Sequence, residues 1–426
     1  VTRVDGRLKV TGKALYAADN PAPDLVYAAL VCSTVARGNV ERIDPAAAVR
    51  ERDVLRVLTD FGGVRLPYDI RQVSCFGQPV AVVVATTLEA AMHGASLVDV
   101  RYQAGPQMTN IDAPQAEQKP GSRTRDYARG NANDALRGAA VVTDLRYSIM
   151  RNNHNPMEIP ATVASWDGDR LTVWDKVQSI SGAQKAYADA FAVPGDHVRV
   201  ISPFVGGAFG SAGTTWPHQL LAAFAARQIR RPVKLALTRK QMYSGIGYRP
   251  TSRQRLAIGA DRSGRISAIV HEAHTETSRY NAYEDNLMTA ARFLYSSPNM
   301  RSTYRVVPLD VNPPTFMRGP GATTGAFALE SAMDDLAYRL GMDPIELRLR
   351  NEPDRDLSAD LPFSTRRLTD CFAKGGDTFG WSRRNPTPRS IREGNQLIGL
   401  GMAAAGYHTS RSQCAAEARI NADGTA

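Results

Sequence analysis

Val205-Gly206-Gly207-Ala208-Phe209-Gly210-Ser211 lies between a predicted strand, His197-Val198-Arg199-Val200-Ile201, and a predicted helix that begins near Trp216. Three glycines and a serine in so short a run leave a backbone bare enough to lie against a ligand. They also admit the positive φ angles that most residues avoid. Phe209 is the single large side chain and has to pack somewhere specific. A glycine turn between strand and helix is equally an ordinary way to reverse the chain with nothing bound. The spacing does exclude one ligand class: there is no G-x-G-x-x-G, and no acidic residue follows where a dinucleotide-binding βαβ unit needs one.

Working outward from this loop, Ala161 to Trp166 and Arg170 to Val177 flank Asp167-Gly168-Asp169 and predict a hairpin. A helix over Ala183 to Phe191 follows, then the strand into the loop. Beyond the loop come a helix over Gln219 to Ile229, a strand over Pro232 to Leu237 and a hairpin turning at Asp261-Arg262-Ser263-Gly264. Residues 324–341 carry the clearest helical period, with Leu329, Met333, Leu336, Ala337 and Leu340 on one face and Gly341 at the C-cap. Directly before that helix stands Met317-Arg318-Gly319-Pro320-Gly321, an arginine on a stiff, glycine-flanked loop beside a helix N-terminus. Such a place suits an anion, because donors point outward and a planar cation stands beside them. The alternative for Arg318 is an ion pair with Glu330 or Asp334.

Residues 1–105 read as a compact α/β unit. Strands are expected over Val26–Val31, Val54–Leu58, Gln78–Val84 and Val98–Tyr102, and Thr86 with Glu89 predicts a capping box for a helix over Leu88–Leu97. Residues 106–138, rich in Gly, Pro, Gln, Asn and Asp, read as a surface linker. A second unit spans 139–355 and a third begins at 356. Near its end Cys414 to Ile420 reads as a strand and Asn421-Ala422-Asp423-Gly424-Thr425 as a hairpin turn with no second strand after it, as if the sequence stopped inside a domain.

The 426 residues carry 52 basic and 42 acidic side chains, a net charge of +10. No dense basic run or aromatic-interleaved basic patch accompanies that charge, so a nucleic-acid partner is not expected. No apolar run is long enough to span a bilayer. Cys32, Cys75, Cys371 and Cys414 are scattered without metal-ligand spacing, so neither zinc nor an iron–sulfur cluster is expected on this chain. They read as buried small hydrophobes in a reducing compartment.

Seven short segments, in order, resemble the large, molybdenum-cofactor-binding subunit of the xanthine oxidase/aldehyde oxidase family, in its bacterial separate-subunit form. They are Arg3-Val4-Asp5-Gly6 with Lys9-Val10-Thr11-Gly12, Gly77-Gln78-Pro79-Val80-Ala81, Asn153-His154-Asn155-Pro156-Met157-Glu158, Gly206-Gly207-Ala208-Phe209-Gly210, Arg231-Pro232-Val233-Lys234, Met317-Arg318-Gly319-Pro320-Gly321 and Ala328-Leu329-Glu330. The resemblance implies a mixed α/β (α+β) fold: an α/β hammerhead domain over 1–105, a linker, a first molybdopterin-cofactor-binding domain over 139–355 and the start of a second over 356–426.

It further implies a molybdenum–pterin cofactor, molybdopterin or its cytosine dinucleotide, and hydroxylation of aldehydes or N-heteroaromatic compounds with water-derived oxygen. Electrons would pass to 2Fe-2S and FAD groups on iron–sulfur and flavin partner subunits. A cytoplasmic location is expected, or a periplasmic one through export with a partner. By the same resemblance Gly206, Gly207, Ala208, Phe209, Gly210 and Gln178 bind the cofactor and Arg318 orients substrate, with no protein side chain on the metal. His154 and Glu158 are weaker candidates, His154 reading rather as a ligand of a backbone carbonyl. Tyr243, Tyr248 and Phe327 are expected to form an aromatic wall. The sequence departs from the family pattern at Ala212, Ala322 and Ile159. The family's general-base glutamate is expected beyond residue 426, so Glu158 and Glu330 are not assigned that role. The alternative is a non-catalytic fragment that retains the subunit-binding surface.

Overall fold

A computed structural model describes residues 3–407 and 413–424. Two sheets carry most of it. The first has seven strands in the order Val198–Ile201, Arg170–Asp175, Ala161–Asp167, Val233–Ala236, Val26–Cys32, Pro79–Ala85, Val54–Leu58. All seven residues of Pro79–Ala85 are buried, as a continuous apolar, β-branched run requires when both faces of a strand are covered. The helix Pro217–Ile229 lays Leu220, Leu221 and Phe224 into the core of this sheet with Val173, Leu235 and Val26.

This sheet does not stop at the boundary expected near residue 105. Val26–Cys32 pairs in parallel with Val233–Ala236, Val26 lying opposite Val233. The two strands are far apart in sequence, and only tertiary pairing brings them together.

The second sheet runs Lys119–Pro120, Asn299–Leu309, Ile266–Ser278, Ser252–Ala260, Val141–Ile149. The helix Ala322–Leu340 packs Leu329, Met333 and Leu336 against Leu256, Ile258, Ile269 and Met300 on it, and Gly341 closes that helix in the left-handed conformation as its period predicts.

Several expectations need correction. The cap of the helix Leu88–Leu97 is Thr87, whose hydroxyl accepts from the Ala90 N–H at 3.1 Å, while Thr86 donates to Asp53. Residues 106–138 are more than a surface linker. Lys119–Pro120 and Tyr127–Arg129 both pair with Asn299–Leu309, and Glu284 accepts from the N–H groups of Ser122, Arg123 and Thr124. Cys75 is buried and Cys32 partly so, but Cys371 and Cys414 are exposed. Residues 413–420 form no strand, and a turn at Ala422–Asp423 follows them; Thr425 lies outside the described residues. Among the described residues no helix is long and apolar enough to cross a membrane.

Candidate functional site

The strand Val198–Ile201 delivers the chain into the glycine loop, and a tight turn at Ser211–Gly213 passes it to the helix Pro217–Ile229. Phe209 has φ +59°, rare for a bulky residue, and Gly210 has φ +114°. Glycine is required at Gly210 for a second reason: a Cβ there would stand 2.3 Å from the Phe316 carbonyl oxygen.

Side chains from neighbouring segments grip both ends of the loop. The Gly206 N–H donates to Glu158 Oε2 at 2.6 Å, and the Glu158 N–H donates back to the Gly206 carbonyl at 3.2 Å. At the other end the Gly210 N–H donates to Gln178 Oε1 at 3.1 Å, and the Gln178 N–H donates to the Ala212 carbonyl at 2.8 Å. Between these clamps the N–H groups of Gly207, Ala208 and Phe209 have no acceptor among the described residues, although Ala208 is buried. Consecutive amides left open in this way form an anion-binding concavity.

The loop is braced from behind. Asp175, at the end of the strand Arg170–Asp175, is buried and accepts from Thr162 Oγ1, Tyr187 OH and Gln219 Nε2 at 2.7, 2.8 and 2.7 Å. Burial pushes its pKa up, and the three donors oppose the shift. Gln219 in turn accepts from the Trp216 N–H at 2.5 Å, and the Trp216 indole N–H donates to the Ser211 carbonyl at 2.6 Å. The next residue, Lys176, is buried and donates its ammonium to the Glu158 carbonyl. Burial pulls its pKa down to about 8, against the opposing pull of Glu158. Burial also raises the pKa of Glu158, countered by the Gly206 N–H and Lys176.

The arginine loop meets the glycine loop at Phe209. The Arg318 N–H donates to the Phe209 carbonyl at 3.1 Å, and the Arg318 guanidinium lies 4.4 Å from the Phe209 ring centroid, a cation–π geometry. Arg318 is exposed, and no carboxylate pairs with it among the described residues. Glu330 and Asp334, the alternative partners, are both taken by the buried Arg348 at 2.9 Å.

The loop's carbonyls, by contrast, are all occupied. His154 Nε2 contacts the Phe316 oxygen at 2.7 Å, buried Arg249 donates to those of Met317 and Arg318 at 2.6 and 2.9 Å, and Thr323 Oγ1 donates to that of Arg318 at 2.9 Å. Beneath them Asp285 is buried, and burial pushes its carboxyl pKa up to about 6 against the pull of Arg249.

Phe209, Gly210, Gln178 and Arg318 therefore come together as the sequence suggested, and His154 contacts backbone carbonyls with both ring nitrogens. The aromatic wall is not as expected. Tyr248 is wholly buried under the Arg151 guanidinium, 3.8 Å from its ring centroid, and Phe327 packs on Tyr147. The aromatic pair at the arginine loop is Phe316 with Tyr283, ring centroids 5.3 Å apart. Lys176, Arg249 and Asp285 escaped sequence reading. Only Lys176 left a signal, a lysine at the end of an apolar strand two residues before Gln178.

Three open amides and a guanidinium free of carboxylates make a donor-rich site. Fold and site together define the class: a mixed α/β protein in which two loops bring open amides and a guanidinium side by side. The molybdopterin cofactor-binding domain model matches residues 115–352. The aldehyde oxidoreductase molybdenum-binding subunit PaoC of Escherichia coli K12 is 35% identical over 436 residues, covering 99% of this chain and 59% of that protein. The putative xanthine dehydrogenase molybdenum-binding subunit XdhA of the same organism is 27% identical over 441 residues, covering 95% and 58%.

The chain thus spans less than two thirds of the length of these relatives. Quinoline 2-oxidoreductase from Pseudomonas putida 86 superposes with a TM-score of 0.78 at 24% identity, over 90% of this chain and 55% of that one, a likeness of fold. The chain belongs to the molybdopterin cofactor-binding family, with the molybdenum-binding subunits of the xanthine dehydrogenase and aldehyde oxidoreductase type.

Proposed function

We propose that this chain forms the molybdenum–pterin-binding part of an oxidoreductase that hydroxylates aldehydes or N-heteroaromatic compounds, with 2Fe-2S and FAD groups on partner subunits carrying electrons away. In this reading residues 1–105 form the hammerhead unit and 139–355 the first cofactor-binding domain. The observation that carries it is the row of open amides at Gly207, Ala208 and Phe209, ending at the ring on which Arg318 rests.

The cofactor, when bound, supplies the two-electron redox chemistry. The protein's share is binding and orientation. Open amides fit the anionic, oxygen- and sulfur-rich character of a metal–pterin group, and Gln178 and Glu158 keep them aimed. Arg318 is placed to hold a substrate carbonyl or ring nitrogen and to stabilise negative charge that grows on it. Its stack on Phe209 fixes where that positive charge sits.

The test is to purify the full-length protein from a host that makes the cofactor, and to measure molybdenum, pterin and oxidation of an aromatic aldehyde and an N-heterocycle with an artificial electron acceptor. Stoichiometric molybdenum and pterin with turnover of either substrate supports the proposal. A folded, matured protein with neither metal nor pterin would overturn it.

A further inference from the structure

We propose that the segment Asn153–Glu158 is a positioning element that sets the two loops of the site against each other, Glu158 acting through the glycine loop and His154 through the arginine loop. The proposal rests on reading those loops as the cofactor and substrate walls. His154 is buried, with Nδ1 2.9 Å from the Gly247 carbonyl oxygen and Nε2 2.7 Å from that of Phe316. That Phe316 oxygen is also the atom a Cβ on Gly210 would strike. Four residues on, Glu158 exchanges two hydrogen bonds with Gly206. One short segment thus grips the first residue of the glycine loop and the residue two before Arg318.

The grip is useful only if the segment itself is fixed, and it is. Arg239 donates to Asn155 Oδ1 at 3.1 Å and to the carbonyls of Pro156 and Met157 at 2.6 and 3.2 Å. Lys176 donates to the carbonyl of Glu158. Three successive carbonyls therefore accept from cationic donors, which are stronger and more directional than neutral ones. Pro156 fills the space beside the glycine loop, and a Cβ on Gly207 would lie 3.4 Å from Pro156 Cβ. Neither His154 nor Glu158 occupies the row of open amides or the Arg318 stack, so each acts through a loop.

The two arms are separable. The amide of glutamine reproduces the Nε2 position of a histidine, whereas that of asparagine reproduces Nδ1. His154→Gln therefore keeps a donor at the Phe316 oxygen, and His154→Asn keeps one only at the Gly247 oxygen. In the full-length holoenzyme, His154→Asn is expected to raise KM about tenfold or more with kcat changed less than about threefold and cofactor content unchanged, while His154→Gln stays near wild type. Glu158→Ala is expected to lower molybdenum and pterin content about fivefold or more, and Glu158→Gln, which still accepts from the Gly206 N–H, restores it.

Amide hydrogen exchange gives a readout independent of turnover: about tenfold faster exchange over 205–211 in Glu158→Ala, and over 315–321 in His154→Asn. Equal behaviour of the two His154 variants, or equal loosening of both loops by either residue, would overturn the proposal. Because exchange is read without cofactor, a protein that binds no molybdenum would sink the proposed function and still leave this inference decided.

Discussion

In the glycine loop the free donors are main-chain amides, and the carbonyls of Gly206, Ala208 and Phe209 are occupied by Glu158, Ser211 and Arg318. In the arginine loop the carbonyls of residues 316–318 are occupied as well, by His154, Arg249 and Thr323, and the free donor is a side chain. Both loops present donors and have most of their carbonyls occupied; within 206–210 only the Gly207 carbonyl has no donor among the described residues. The glycine loop offers small dipoles fixed in the main chain, which a change of side chain short of proline leaves in place, whereas the arginine loop offers one full charge on a side chain seated on the Phe209 ring. A cofactor that stays bound suits the first, and a substrate that comes and goes suits the second.

Arg318→Met should break this division most clearly. With no carboxylate partner among the described residues, it should lower the melting temperature by no more than the loss of one exposed cation–π contact and leave cofactor content unchanged, while lowering kcat/KM by about 10²–10³-fold, the scale for removing one preorganised donor to a developing charge. A fall in cofactor content instead would show that the two loops do not divide the work.

The arginine loop stands over a buried titrating group, and that gives a pH signature. Asp285 has a folded pKa of about 6 against an ordinary 3.8, so the folded state holds its proton more tightly. The group's contribution is fully present below about pH 4, is lost as pH rises through about 6, and amounts to at most about 3 kcal/mol. Denaturant titrations should therefore show wild type losing up to that amount of stability relative to Asp285→Asn as pH rises from about 4 to about 6, with the difference constant above pH 7. Parallel curves throughout would refute the assignment.

Gly210→Ala is a stability test of the contact between the loops: φ +114° together with a Cβ 2.3 Å from the Phe316 oxygen should cost about 2 kcal/mol in thermal unfolding. The smallest effect is expected of Phe209→Leu, which removes the ring beneath Arg318. Its coupling to Arg318→Met in a double-mutant cycle on kcat/KM should be about 0.5–1 kcal/mol.

Much of this was legible in the sequence because it depends on local rules. The glycine loop shows itself through glycine density, the helix over 322–340 through its period and Gly341, and the arginine loop through glycines flanking a cation. What escaped is long-range. Arg249 reads as one arginine among many until the fold carries it under Met317 and Arg318, and Asp285 looks like any loop aspartate until it is buried. Tyr248 was misplaced for the same reason: nothing local distinguishes an aromatic that faces a pocket from one beneath Arg151. The short strands at 119–120 and 127–129 form because Asn299–Leu309 offers an edge, a property of the partner and not of their own composition.

The parallel pairing of Val26–Cys32 with Val233–Ala236 bears on how the chain is made. Its sequence separation of about 200 residues gives the first sheet a high contact order. During synthesis the N-terminal strands emerge long before their neighbour exists, and an apolar strand such as Val26–Cys32 waits with one edge unpaired. Productive folding of the N-terminal third is thereby tied to translation of the segment that carries the glycine loop. A ribosome-bound chain stopped short of residue 233 should keep that edge open to chaperones, and one extended well past it should not.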